Sequence, residues 1–431
     1  MTTLKKSHSA LRHREFRIYL GIRFLLSFAA QWQTTVLGFY VYQLTHSKMA
    51  IAFVGLSEVI PALGIALYGG YIADNSDQRK LLLRSNLGLV FVSLGLLAGN
   101  GAVWVIYLLL FASGFARAFY EPALFAVYSR SVPREEYANA ASWNNLSWQL
   151  ASVTGPLVAG FGYAFGGISL AFMVVSVLML SSVLLVTRLG DVPAAGGAIA
   201  TGRNEVGRHV PGRNEVGRRA TGRGDGLRES VLAGLRFVFR TKPLFYAMNL
   251  DLFSVFFGGV SALLPIYALD ILKVGAEGLG VMRMVMSAGA ALTMLVATRV
   301  RVMHRPWRNL LIAAGGFGVC VVGFGFSTDY LLALVFLFGQ GAFDSISVLI
   351  RGTLLQLLTP EDMRGRVSAV NSMFIASSAE IGDLESGVMA SLLGTMPAVL
   401  LGGCITLAVV VFTFSRTGEL AWLSTDELAG S

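Results

Sequence analysis

The chain has 431 residues, 55% of them hydrophobic and only 14% charged, with a mean hydropathy of +0.65. Soluble domains carry about one quarter charged residues, so this composition argues against an aqueous globular enzyme or binding module. The net charge of +9 does not point to nucleic acid, because the basic residues alternate with apolar spans and no basic patch is interleaved with aromatics.

The first 14 residues are polar and basic. The apolar segment that follows is too long for a signal-peptide core and lacks a clear small-residue cleavage site, so it is expected to remain as a first span. Apolar runs lie at 15–44, 48–72, 81–99, 102–130, 138–163 and 168–188, then at 244–273, 276–300, 309–327, 329–358, 365–392 and 395–416. At about 1.5 Å of rise per residue, a run of roughly 20 residues matches the hydrocarbon thickness of a bilayer. Helix is the expected state, because open strands would leave backbone groups unsatisfied in lipid and a barrel would show shorter, alternating segments. The expected organisation is a cytoplasmic N-terminus (1–14), a six-helix bundle (15–188), a linker with an amphipathic segment (189–243), a second six-helix bundle (244–416) and a polar tail (417–431).

Loop charge sets the expected orientation. Arg79, Lys80, Arg130, Arg134, Arg299, Arg301, Arg305, Arg308, Arg364 and Arg366 all fall in loops on one side, while the opposite loops carry little beyond Lys48 and Lys273. Both termini are therefore expected in the cytoplasm of a multi-pass protein of the inner (plasma) membrane. The linker contains Gly-Arg-Asn-Glu-Val-Gly-Arg twice, at 202–208 and 212–218, as a local duplication in polar chain whose arginines suit anionic headgroups. Cys320 and Cys404 lie inside apolar runs and are expected to be buried small hydrophobes.

A larger repeat is visible on shifting the chain by 227 residues. Pro133 then aligns with Pro360, Asn144 with Asn371, Gly155 with Gly382, Gly160 with Gly387 and Tyr40 with Tyr267. Together with the six-plus-six spans, this reads as an internal duplication.

The loop from Gly69 to Lys80 holds Gly70, Asp74, Asp77, Arg79 and Lys80. It resembles the loop between the second and third helices of the major facilitator superfamily, with Asn75 and Asp77 departing from that pattern. Thr154-Gly155-Pro156-Leu157-Val158-Ala159-Gly160 resembles the Gly-Pro-x-x-x-Gly signature of the superfamily's exporters, with Ala151 where those have an earlier glycine. The resemblance implies an all-α integral membrane fold of 12 transmembrane helices in two six-helix bundles related by pseudo-two-fold symmetry. It also implies gating roles for Gly70, Asp74, Arg79, Lys80, Gly155, Pro156 and Gly160.

Charges inside membrane spans cost several kcal/mol unless paired or hydrated, and so mark functional candidates. Arg117 and Glu121 are four apart in the fourth span, Asp344 and Arg351 seven apart in the tenth, and Asp251 lies in the seventh. The first pair has a second reading, as a structural ion pair within one helix. In the superfamily the first, fourth, seventh and tenth helices line a central cavity, which makes these residues, with Gln31 and Gln33, the substrate-cavity candidates. Glu380, Asp383 and Glu385 crowd the eleventh span, either to carry a proton or to pair with bases such as Arg79 or Arg283.

The segments 379–387 and 360–372, with 118–123 and 263–267, resemble the enterobactin-exporter branch, a group of bacterial siderophore and drug exporters. That resemblance implies a monomeric secondary active transporter that exports a small siderophore or drug-like molecule by alternating access with proton antiport. An uptake symporter of a small metabolite, or a lysolipid transporter, is the alternative. No nucleotide-binding loop is present, and the five histidines lie at termini, loops or span edges away from ligand-spaced partners, so no cofactor, metal or enzymatic activity is expected.

Overall fold

The computed structural model describes residues 9–99, 101–190, 225–299, 302–360, 363–423 and 427. The duplicated linker sequence at 202–208 and 212–218 lies outside the described residues. Every long element is a helix. α1 is Arg14–Thr45, α2 Lys48–Asn75, α3 Gln78–Ala98, α4 Val103–Ser131 and α5 Tyr137–Thr187. α6 is Asp225–Arg240, α7 Lys242–Gly258, α8 Gly275–Ala297, α9 Pro306–Phe326, α10 Tyr330–Leu358, α11 Arg364–Leu393 and α12 Thr395–Thr417. Among the described residues, seven helices are long and apolar enough to cross a membrane. One of them, α5, runs continuously where two spans are expected. Gly167 divides it with φ 63° and ψ −160°, a conformation that side-chain-bearing residues rarely adopt, so the break falls between the expected fifth and sixth spans.

The chain forms two compact units, residues 1–205 with 263–287, and residues 206–262 with 288–431. In the first, α1 lies along α5, α2 along α4, and α3 against both α4 and α5. Its core contains Phe16, Ile22, Leu26, Trp32, Leu82, Leu110, Leu124 and Phe172. With no aqueous driving force between helices in lipid, small residues and polar cross-links do much of the joining. Tyr19 donates to Asn144 Oδ1 at 2.6 Å, and Ser176 donates to Ser93 Oγ at 3.0 Å. A Cβ on Gly155 would lie 2.9 Å from that of Gln31, and one on Gly280 would lie 2.6 Å from the Pro156 carbonyl oxygen. Gly160 likewise meets Gly280 so closely that its Cβ would sit 2.9 Å from the Gly280 Cα. These crossings seat the first half of α8 against α5 within this unit.

In the second unit α9 packs on α10 and α12, and α7 on α11 and α12. Trp307, fully buried, donates its indole N–H to Thr417 Oγ1 at 2.9 Å. Val238 of α6 joins Leu244, Met248, Leu355, Val367 and Val370 in a satellite core, so the amphipathic helix docks on the ends of α7, α10 and α11. The expected seventh span of 244–273 is not one helix. α7 stops at Gly258, a short helical turn resumes at Leu264–Ile266, and Tyr267–Ile271 is π-helical. Two freed carbonyls are capped from other helices, Gly258 O by Gln340 Nε2 at 3.2 Å and Gly259 O by Ser386 Oγ at 3.0 Å. Such replacement bonds are what make broken helices tolerable at membrane depth. Cys320 is buried as expected, but Cys404 is exposed, because α12 turns Gly402 and Gly403 inward instead.

Candidate functional site

Among the described residues, each unit holds a polar site inside its otherwise apolar spans. The first is a cavity of about 200 Å³ lined by Arg23, Ser27, Ala30, Gln31 and Thr34 of α1, Arg117, Tyr120 and Glu121 of α4, and Trp148 of α5. The α1 positions recur at spacings of three and four, so one helical face supplies them all. Arg117 does not pair with Glu121. Its Nε is 2.7 Å from Glu58 Oε1 on α2, and Glu58 also accepts from Ser113 Oγ at 3.0 Å. Glu121 instead stands 3.4 Å from Arg23 Nη1 and accepts from the Tyr120 hydroxyl at 2.8 Å. The intrahelical Arg117–Glu121 pair considered from spacing is thus replaced by two interhelical ones. The glutamate one turn along lies on the cavity side, while α2 offers a carboxylate at the guanidinium itself.

The second site lies in the second unit. Asp251 of α7 and Arg351 of α10 form a buried ion pair, the residues 8% and 4% exposed. Beside them Asp251, Ser254, Asp344 and Ser347, with Val255, Ala314 and Phe317, line a cavity of about 10 Å³, room for about one water. Ser254 is buried and its hydroxyl has no hydrogen-bond partner among the described residues. Asp251 answers Arg351, which leaves the Asp344 carboxylate beside them without an ion-pair partner among the described residues.

Other candidates are more dispersed. Gln31 lines the first cavity, 3.5 Å from Ser152 Oγ, whereas Gln33 is buried away from it with Oε1 lacking a partner among the described residues. Asp383 and Glu385 are half-buried on α11 and line neither cavity. Gly70, Asp74 and Glu380 lie, beyond their helical backbone, outside the described residues. Arg79 donates to the Thr187 carbonyl at 2.5 Å, tying the start of α3 to the end of α5. Lys80 is 3.3 Å from Asp77, whose carboxylate caps α3 by accepting from Arg79 N at 3.0 Å and Lys80 N at 3.2 Å. Burial pushes the Asp77 carboxyl up, but these hydrogen bonds and the Lys80 charge together outweigh it and hold the group below its ordinary value. Gly155, Pro156 and Gly160 serve the close helix crossings described above.

A model of the Major Facilitator Superfamily matches residues 19–383. The chain belongs to this superfamily. Membership makes it a multi-pass membrane transporter of small molecules with an all-α, 12-helix fold, and not an enzyme. Among curated relatives, an enterobactin exporter of Shigella flexneri is 26% identical over 395 residues, covering 90% of this chain and 86% of its own. One from Escherichia coli O1:K1 matches to the same extent. Solved structures of similar fold include the nucleoside transporter NupG, with a TM-score of 0.66, 12% identity and coverage of 93% of this chain and 98% of its own. A POT family transporter in complex with 5-aminolevulinic acid has a TM-score of 0.68 at 11% identity, covering 94% and 96%. At such identities these structures speak for the fold alone.

Arg23, Glu58 and Ser254 are site residues that the sequence candidates do not include. The first two are ionisable residues inside apolar runs, the same signal that marks Arg117 and Asp251. Ser254 carries no such signal, since an isolated serine is common in a membrane helix.

Proposed function

We propose that this superfamily member exports a small molecule, a siderophore or a drug-like compound, by alternating access coupled to proton antiport. The observation that carries the coupling is the second-unit cluster. Asp251 and Arg351 neutralise each other, so the half-buried Asp344 adds one negative charge beside them with no ion-pair partner among the described residues. An unshared charge inside a membrane span is costly, and a single proton on Asp344 removes it. Export, as opposed to uptake, is supported by the names of the curated relatives, which are exporters of enterobactin. In this reading both termini are cytoplasmic and the protein works as a monomer.

Transport into or out of vesicles of known orientation tests the reading. With acid outside, substrate efflux should run uphill and collapse on adding an uncoupler; efflux indifferent to the uncoupler would remove proton antiport. Asp344→Asn should keep downhill exchange while losing uphill efflux. The substrate is found by untargeted metabolite profiling of a deletion strain beside a drug-sensitivity panel. Retained iron-chelating compounds would select siderophore export, and drug hypersensitivity alone would select drug efflux. In the loop before α3, Asp74→Asn should weaken the inward-closed state while leaving substrate binding in place.

A further inference from the structure

We propose that Arg23 is the docking point for an anionic group of the transported molecule, and that Glu121 is the internal carboxylate which that group displaces. The inference rests on the transport reading above and adds a substrate class to it. The two arginines of the first cavity are not equivalent. Arg117 is paired with Glu58, a residue that does not line the cavity, in an ion pair of 2.7 Å. Its charge is answered from behind, outside the space a ligand would occupy. Arg23 is answered from within that space and poorly. Its Nη1 lies 3.4 and 3.5 Å from the two Glu121 oxygens, well beyond the ~2.7–2.9 Å of a tight guanidinium–carboxylate contact. Its Nε is buried with no hydrogen-bond partner among the described residues. A guanidinium offers a planar fork of donors that suits a carboxylate, and here the fork is left largely unused.

Glu121 is built to yield. Its side chain is 56% exposed, so water takes up its charge when it leaves Arg23, and the Tyr120 hydroxyl 2.8 Å from Oε1 holds it nearby. The rest of the lining fits a planar body behind the acid. Trp148 presents an apolar face, and Ser27, Thr34 and Gln31 offer hydroxyl and amide groups along α1. The cavity volume of about 200 Å³ is smaller than the roughly 300–1,000 Å³ of sites that enclose a drug-sized ligand. It accommodates one ring-sized acid, or one acidic arm of a larger molecule.

The test is equilibrium binding to the full-length protein in lipid nanodiscs, with benzoate as the acid, benzamide as its neutral isostere and benzylamine as the cation. Benzoate should bind more tightly than either. Arg23→Gln should weaken benzoate at least tenfold and leave benzamide within twofold, Arg23→Lys should fall between, and Glu121→Gln should tighten benzoate several-fold by removing the competing carboxylate. The proposal is overturned by absence of benzoate binding, by preference for benzylamine, or by loss of benzoate affinity in Glu121→Gln. Melting in nanodiscs checks each variant for folding. If Arg23→Gln fails that check, Glu121→Gln and Arg23→Lys carry the decision. No ion gradient enters this measurement. Failure of acid-driven efflux with the benzoate pattern intact would therefore strike the coupling mechanism and spare the docking point.

Discussion

Glu58 and Arg117 stand 2.7 Å apart across α2 and α4, and the backbone carbonyl of Glu58 lies so close to Gly114 that a Cβ there would overlap it. The ion pair and the glycine contact are parts of one crossing. The helices can approach because Gly114 has no side chain, and the approach brings the two charged groups into ion-pair contact.

That geometry makes the Glu58–Arg117 pair structural and the Arg23–Glu121 pair weak. In double-mutant cycles read by denaturant or thermal unfolding in detergent, Glu58→Gln with Arg117→Gln should show a coupling above the ~1 kcal/mol of exposed ion pairs. Arg23→Gln with Glu121→Gln should show less than about 1 kcal/mol, as for exposed ion pairs. Equal couplings would contradict the division of labour between the two arginines.

The buried pair in the second unit should respond more strongly. Asp251→Asn leaves the Arg351 guanidinium buried opposite a neutral amide, and loss of one partner of such a pair costs about 3–5 kcal/mol. Arg351→Met in the Asp251→Asn background should restore most of the melting temperature, since no uncompensated charge remains on either partner. A double variant no more stable than Asp251→Asn would show that the packing, and not the charge, carries the loss.

The α5–α8 crossing is tested by bulk. Gly160→Val and Gly280→Val force atoms into space already filled by backbone, and overpacking of this sort costs about 1–3 kcal/mol. Gly352→Ala, which meets nothing within 4 Å, should melt with the wild type. The comparison is a thermal unfolding series in one detergent.

The cap of α3 supplies a pH dependence outside the membrane. The Asp77 carboxyl titrates below its ordinary value in the folded protein, so its contribution is fully present above about pH 4, the unfolded value, and is lost as pH falls through the lowered one. Asp77→Ala should cost about 0.5–2 kcal/mol of local stability at neutral pH and abolish that acid-side loss. Hydrogen exchange of the amides that open α3 reads both effects.

Most of the helical framework is legible from run length alone, because a bilayer demands segments of a set length and a chain has few other ways to supply them. Even the division of α5 is foreshadowed, since Gly167 stands in the polar-free gap between the expected spans at 138–163 and 168–188. The interruption after Gly258 is not legible. Its carbonyls are satisfied by Gln340 and Ser386, roughly 80 and 130 residues away, and neither side chain announces that duty. The charged residues were legible as candidates but not as partners. Spacing along one helix put Glu121 beside Arg117, and the partner came from a neighbouring helix whose depth and rotation are decided by packing. Cys404 illustrates the same limit, because an apolar run says that a residue is in the membrane and not which way it faces.

The membership of residues 263–287 in the first unit has a consequence for biosynthesis. Chain growth at ~5–20 residues per second places residue 287 about 4–16 s after residue 205 has been made. For that interval the face of α5 that carries Gly160 has no helix against it, and the insertion machinery or lipid must shield it. Ribosome-release intermediates ending just before and just after residue 287 should differ in how readily a thiol placed at Gly160 reacts, the longer chain being the protected one.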